Sequence, residues 1–253
     1  RYSWSSWGMA ATMNNFVGDG NGYVGDIDLD PEVAHTLSLA GDWHDAGSKT
    51  WNLRIAPFYS HVRDFIDARC LPGKTCTPDK FNVLQYVNES ARLYGVDVSG
   101  QALIARTRSY GDFSLSGVVN YVRGENRDSG DDLYNIMPLN AKLALTQKFG
   151  RWTNSAEGQF VAAKDEVSDV RNEIGTDGYS LFNLRSSYEW KQVRLDVGIE
   201  NLFDRYYALP LGGAYLGQGT TMAINPPAGN YPQWGTAVPG MGRSIYAGVN
   251  VKF

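Results

Sequence analysis

The sequence predicts an all-β fold, about nine or ten strands forming part of an antiparallel transmembrane β-barrel, and three observations lead there. First, the last ten residues alternate strictly: Ile245, Ala247, Val249, Val251 and Phe253 fall on one face of a strand, and Tyr246, Gly248, Asn250 and Lys252 on the other. Such a strand suits a wall between lipid and water. Second, eight further segments repeat this alternation, joined in turn by short and long connections. Third, aromatic residues on the apolar face cluster beside the short connections.

The segments follow one another along the chain. Leu37, Leu39, Gly41 and Trp43 alternate with Ser38, Ala40, Asp42 and His44. After the turn at 45–49, Trp51, Leu53, Ile55 and Tyr59 alternate with Asn52 and Arg54. Val96, Val98, Ala102 and Ile104 then oppose Asp97, Ser99 and Gln101, and Phe113, Leu115, Val119 and Tyr121 oppose Ser114, Ser116 and Asn120. Leu139, Ala141, Leu143, Leu145 and Phe149 lead through a tight turn to Trp152, Ala156 and Phe160. Phe182, Leu184, Tyr188 and Trp190 lead through another to Val193, Leu195, Val197 and Ile199. The terminal strand is the ninth, and each is near or above the roughly 9–11 residues that cross a bilayer at a tilt.

Outer-membrane barrels have short periplasmic turns and longer extracellular loops. With Phe253 at the periplasmic end, the turns near 45–49, 107–111, 150–151 and 191–192 fall on that side, and loops at 62–85, 124–136, 165–177 and 205–241 fall outside. Trp43, Trp51, Phe149, Trp152, Trp190 and Phe253 then share one depth, as a girdle whose rings rest at the headgroup level. Nine is an odd count, whereas single-chain bacterial barrels have even counts, and an open edge in hydrocarbon strands its polar groups. Further strands are therefore expected before Arg1. The start of the chain shows no export signal, which implies removal or a larger parent.

Composition narrows the classes. Of 253 residues, 43% are hydrophobic and no apolar run reaches the roughly 20 residues of a membrane helix, a test blind to barrels. The net charge of −4 argues against a nucleic-acid partner, which needs concentrated positive charge. Cys70 and Cys76 lie in one polar stretch and read as a local disulfide of an oxidising compartment. The alternative, half of a zinc site, lacks further cysteines to complete it.

Several stretches resemble the barrel of TonB-dependent outer-membrane receptors. These are Gly25-Asp-Ile-Asp-Leu-Asp-Pro-Glu32 with His35-Thr-Leu, Tyr94-Gly-Val-Asp97, and above all Val197-Gly-Ile-Glu-Asn-Leu-Phe-Asp-Arg-Tyr-Tyr207. The ending, with Gly248, Val251 and Phe253, resembles the C-terminal signal read by the barrel-assembly machinery. The resemblance implies the C-terminal portion of a 22-stranded plugged barrel, spanning 1–253, whose N-terminal plug and TonB-contacting segment are missing here. It further implies an outer-membrane transporter, not an enzyme, importing a ferric siderophore or another metal chelate with energy supplied through TonB. A complete small barrel, such as a porin, an adhesin or an autotransporter translocator, is the alternative.

Candidate site residues fall in two places. The polar strand faces carry Arg54, Asp97, Lys142, Glu157, Arg185, Glu189, Arg194, Asp196 and Glu200, expected to pair across strands, with Arg185 and Glu189 facing Arg194 and Asp196. The segment 205–241 is long enough to be functional, and Tyr215, Met222, Tyr231, Trp234 and Met241 are its candidate ligand contacts. Met222 and Met241 are too far apart, with no His between them, to assign a metal site. No cofactor is expected, and His35, His44 and His61 have no ligand spacing.

Overall fold

The computed structural model describes residues 21–47, 50–77, 82–215 and 236–252. Its elements are β1 (Gly22–Val24), β2 (Val33–Ser38), β3 (Gly41–His44), β4 (Trp51–Cys70), β5 (Val83–Thr107), β6 (Gly111–Asn126), β7 (Asn140–Phe149), β8 (Trp152–Val161), β9 (Tyr179–Trp190), β10 (Val193–Glu200), β11 (Ala214–Tyr215), β12 (Thr236–Ala237) and β13 (Ser244–Val251). Strands β4 to β10 pair in sequence order, with β13 on β10 and both β2 and β3 on β4. β2 and β3 act as one strand broken opposite Pro57, which has no N–H to give the ladder and accepts instead from the amide of Leu39 at 3.1 Å. Nine strands therefore lie side by side, all antiparallel, as the alternation predicts. β1 adds a short parallel pairing to the far end of β5, and β11 with β12 forms a separate small hairpin.

The register carries the apolar face across the whole sheet. One row runs Leu115, Leu145, Ala156, Leu184, Ile199 and Ile245 from β6 to β13. Another runs Leu53, Gly100, Gly117, Leu143, Gly158 and Phe182. The large side chains of these rows are mostly exposed, Leu184 by 42% and Ile245 by 78%. In a water-soluble sandwich they would form the core. Here the buried hydrophobic residues sit at the long-loop end, as Tyr23 with Ala68 and Leu84, Val62 with Ala91 and Leu133, and Val161 with Tyr179 and Leu181.

The tight turns fall where expected. Gly150 and Lys191 take positive φ values of 59° and 53° in the two-residue connections after β7 and β9. The first long connection is shorter than the alternation implied. β4 continues through a bulge at Asp64 to Cys70, and β5 begins at Val83, so the expected loop 62–85 contracts to 71–82. Beyond the bilayer both faces of a strand meet water or loops, so the contrast that marks a wall strand fades there.

Candidate functional site at the long-loop end

Five of the expected girdle residues, Trp43, Trp51, Phe149, Trp152 and Trp190, lie on the exposed apolar face beside the short turns. Phe253 falls outside the described residues. Sequence reasoning missed a second belt. Tyr59, Phe160 and Phe182 stand on the same face eight residues from Trp51, Trp152 and Trp190, and Phe203 joins them edge-on to Phe182 at 5.5 Å. Eight residues span about 26 Å along a strand, or about 20 Å when tilted. With the rings added on each side, that matches an apolar band of about 25 Å between two interfaces.

The opposite face is polar and most of the charges expected there are paired, though not all with the partners expected. Arg185 reaches Glu157 at 3.7 Å and Glu200 at 3.6 Å, and Lys142 reaches Glu157 from the other side at 3.8 Å. Arg194 binds Asp196 of its own strand at 2.8 Å rather than Glu189, its cross-strand neighbour. Arg54 pairs with Asp42 at 3.5 Å, and Asp97 accepts from Asn120 at 2.7 Å.

Above this face the loops are fastened to one another. Lys164, 1% exposed, donates to Glu173 at 2.5 Å and to the Pro210 carbonyl at 3.1 Å. Glu173 also accepts from the amides of Asn135 and Ser168, so one buried ion pair joins the connections after β6, β8 and β10. Asp131 accepts from Ser168 Oγ at 2.8 Å and from the Asp169 amide at 3.1 Å. Arg171 stacks over Tyr134 at 4.0 Å and over Tyr23 at 5.3 Å. Cys70 and Cys76 are bonded to each other, with Cα atoms 5.8 Å apart, beside the Tyr23 cluster.

A cavity of about 190 Å³ opens where β6 outruns β7, lined by Tyr121, Leu133 and Met137 with Arg123, Asp132 and Glu166. Arg123 holds Glu166 at 2.7 Å and Asp132 at 3.5 Å. Burial and the adjoining Glu166 carboxylate push the Asp132 pKa up to about 6. Among the described residues, no cluster of His, Cys, Asp and Glu is placed to hold a metal ion.

The base of the longest connection is a collar built by Asn201 and Asp204. Both take positive φ. The Asn201 side chain donates to the carbonyls of Arg205 and Met241 and accepts from the Arg205 amide, while its own amide donates to Asn183 Oδ1. Asp204 accepts from the Arg243 amide at 2.8 Å. Above the collar, Leu209 donates to Val238 and Gly240 to Tyr207, and β11 pairs with β12. The segment expected as an unstructured loop therefore begins as a paired stem. Of its candidate contacts, Met241 is exposed at the collar and Tyr215 ends the first stem strand. Met222, Tyr231 and Trp234 lie outside the described residues. Gly248 and Val251, the assembly-signal candidates, pair with Asp196 and Val193 in β10.

Residues 1–202 match the family model described as "TonB dependent receptor-like, beta-barrel". The chain belongs to the TonB-dependent receptor β-barrel family. Curated relatives include the Heme/hemopexin utilization protein C of Haemophilus influenzae, 28% identical over 213 residues, a match covering 74% of this chain and 28% of that protein. The Ferric aerobactin receptor of Escherichia coli is 26% identical over 205 residues, covering 72% of this chain and 25% of its own length. The chain thus spans about a quarter of these relatives. Among solved structures, the copper transporter OprC superposes with a TM-score of 0.72 at 21% identity, over 90% of this chain and 33% of that one. The ferric yersiniabactin receptor FyuA of Yersinia pestis gives 0.59 at 17%, over 88% and 30%. The TonB-dependent family is integral to the outer membrane, its members are receptors and transporters rather than enzymes, and the nine strands are part of such a barrel wall.

Proposed function

We propose that this chain forms part of the wall and mouth of an outer-membrane receptor that imports an iron-containing compound, a ferric siderophore or another metal chelate. The observation that carries this reading is the collared stem at the mouth, rising from a paired polar face in a chain whose curated relatives are named for haem and ferric aerobactin. On this reading the whole of 1–253 is barrel, Tyr215, Met222, Tyr231, Trp234 and Met241 contact the ligand, and no catalytic group or cofactor takes part. A plug contributed by the rest of the receptor fills the polar lumen and passes force from the TonB complex. Gly248, Val251 and Phe253 are read by the barrel-assembly machinery, the two aromatic belts meet bilayer lipid, and the negative net charge disfavours nucleic acid. A complete small barrel is the weaker reading, because among the described residues β2 and β13 each have one pairing partner.

The test is growth of a strain lacking the parent gene when ferric aerobactin, haem or a catecholate chelate is the sole iron source. The wild-type gene should restore growth on one of these, and a version lacking residues 216–235 should not. Growth restored equally by that deletion would remove the long loop from the site. No rescue on any iron source would overturn the iron reading.

A further inference from the structure

Between the two aromatic belts, one outward-facing row departs from the apolar pattern. It reads Phe113, Gln147, Asn154, Ser186 and Val197 from β6 to β10. Three adjacent strands thus place two carboxamides and a hydroxyl on the face that carries Leu145 and Leu184 in the next row. The three are joined: Ser186 Oγ donates to Asn154 Oδ1 at 2.7 Å, Asn154 Nδ2 to Gln147 Oε1 at 3.1 Å, and Gln147 Nε2 to the Tyr110 carbonyl at 2.9 Å.

This chain uses one N–H of each carboxamide and leaves the second free on both. An N–H turned toward lipid without a protein partner calls for an acceptor from outside the protein. Immediately above them the small side chains of Ala156 and Ser186 leave a groove of about 570 Å³, walled by Leu145, Leu184, Val197 and Ile245. That volume is in the range of small-molecule sites.

Depth identifies the occupant. Gln147 and Asn154 stand two residues inward from Phe149 and Trp152, about 5 Å deeper than rings held at the headgroup level. This is the boundary where the glycerol esters and phosphate of a lipid offer acceptor oxygens beneath a headgroup and above its chains. The row carries no charge, so it suits a zwitterionic lipid better than an anionic one. We infer that this groove is a binding site for one zwitterionic phospholipid of the periplasmic leaflet. An acyl chain lies between Leu145 and Val197, and the free N–H groups of Gln147 and Asn154 bind the lipid's ester or phosphate oxygens. The site rests on the reading that this face meets the bilayer.

Native mass spectrometry of the full-length protein, released from membranes in mild detergent and titrated with phosphatidylethanolamine, tests it. Wild type should retain one phospholipid. Retention should fall about tenfold in the pair Gln147→Leu with Asn154→Leu, which removes the donors, and in Ala156→Phe, which fills the groove. It should be unchanged in Leu53→Phe, on the same face but far from the groove. Heat-modifiable migration on gels shows that each variant has folded. A membrane-held wild type without phospholipid, equal retention in the donorless pair, or lipopolysaccharide as the retained lipid would overturn this site. Loss of the protein from membranes in alkaline carbonate would instead overturn the bilayer reading beneath it.

Discussion

The side chain of Asn201 reaches 40 residues along the chain to the carbonyl of Met241, and so closes the neck of the longest loop. Asn201 is 3% exposed and holds Arg205 and Met241 at once. Asn201→Ala removes these side-chain hydrogen bonds from half-buried backbone groups, at about 0.5–1.5 kcal/mol for each bond lost. The variant should melt at a lower temperature in detergent and be cut by protease between residues 205 and 241. The wall should keep its heat-modifiable migration. A wild-type cleavage pattern would show that the collar does not hold the stem.

The Lys164–Glu173 pair is buried on both sides, so losing one partner costs more than the pair contributes. Lys164→Met should destabilise the loop end by about 3–5 kcal/mol, because a carboxylate is left without its cation. Adding Glu173→Gln removes that charge and keeps an acceptor for one of the two amides, Asn135 or Ser168, which bond separate oxygens of Glu173. The double variant should recover much of the loss, and a double-mutant cycle of melting temperatures measures the coupling.

Asp132 makes the same region sensitive to pH. Its folded pKa of about 6 lies above the unfolded value of about 3.9, so the folded state holds the proton more tightly. The stability this adds is complete below about pH 4 and is lost as pH rises through about 6. Asp132→Asn should flatten the melting temperature across that window, leaving the wild type to decline between the same limits. Parallel wild-type and variant profiles would place the titration elsewhere.

Two glycines near the C-terminus should behave in opposite ways. A Cβ at Gly198 would overlap the ring of Tyr246 on the neighbouring strand, whereas a Cβ at Gly248 meets open space. Gly198→Val should therefore weaken the β10–β13 pair by about 1–3 kcal/mol in refolded protein. Gly248→Val should melt with the wild type. If Gly248 is read during assembly, that second variant should still be inserted less in cells, as quantitative blotting of outer membranes would measure.

The wall was legible because every strand in it divides two solvents. Leu143, Leu145 and Phe149 alternate with Lys142, Thr146 and Lys148 for that reason, and the nine strands and four tight turns follow. The extensions of β4 and β5 to Cys70 and from Val83 were not legible, because no such division exists above the bilayer. The stem at 207–215 was hidden by its glycines and prolines. Asn201 stood within a recognisable motif, yet its work depends on Met241, which spacing cannot bring near. Lys164 gave no signal at all, since its burial depends on loops from three connections. The second aromatic belt could have been found by asking which rings recur eight positions after Trp51 and eight before Trp190.

The strands differ greatly in length, with 25 residues in β5 against eight each in β10 and β13. The rim therefore climbs from a low sill on one flank to a tall screen on the other. The Asn201 collar stands on the sill, between β10 and β13, so the longest connection rises where the wall is lowest.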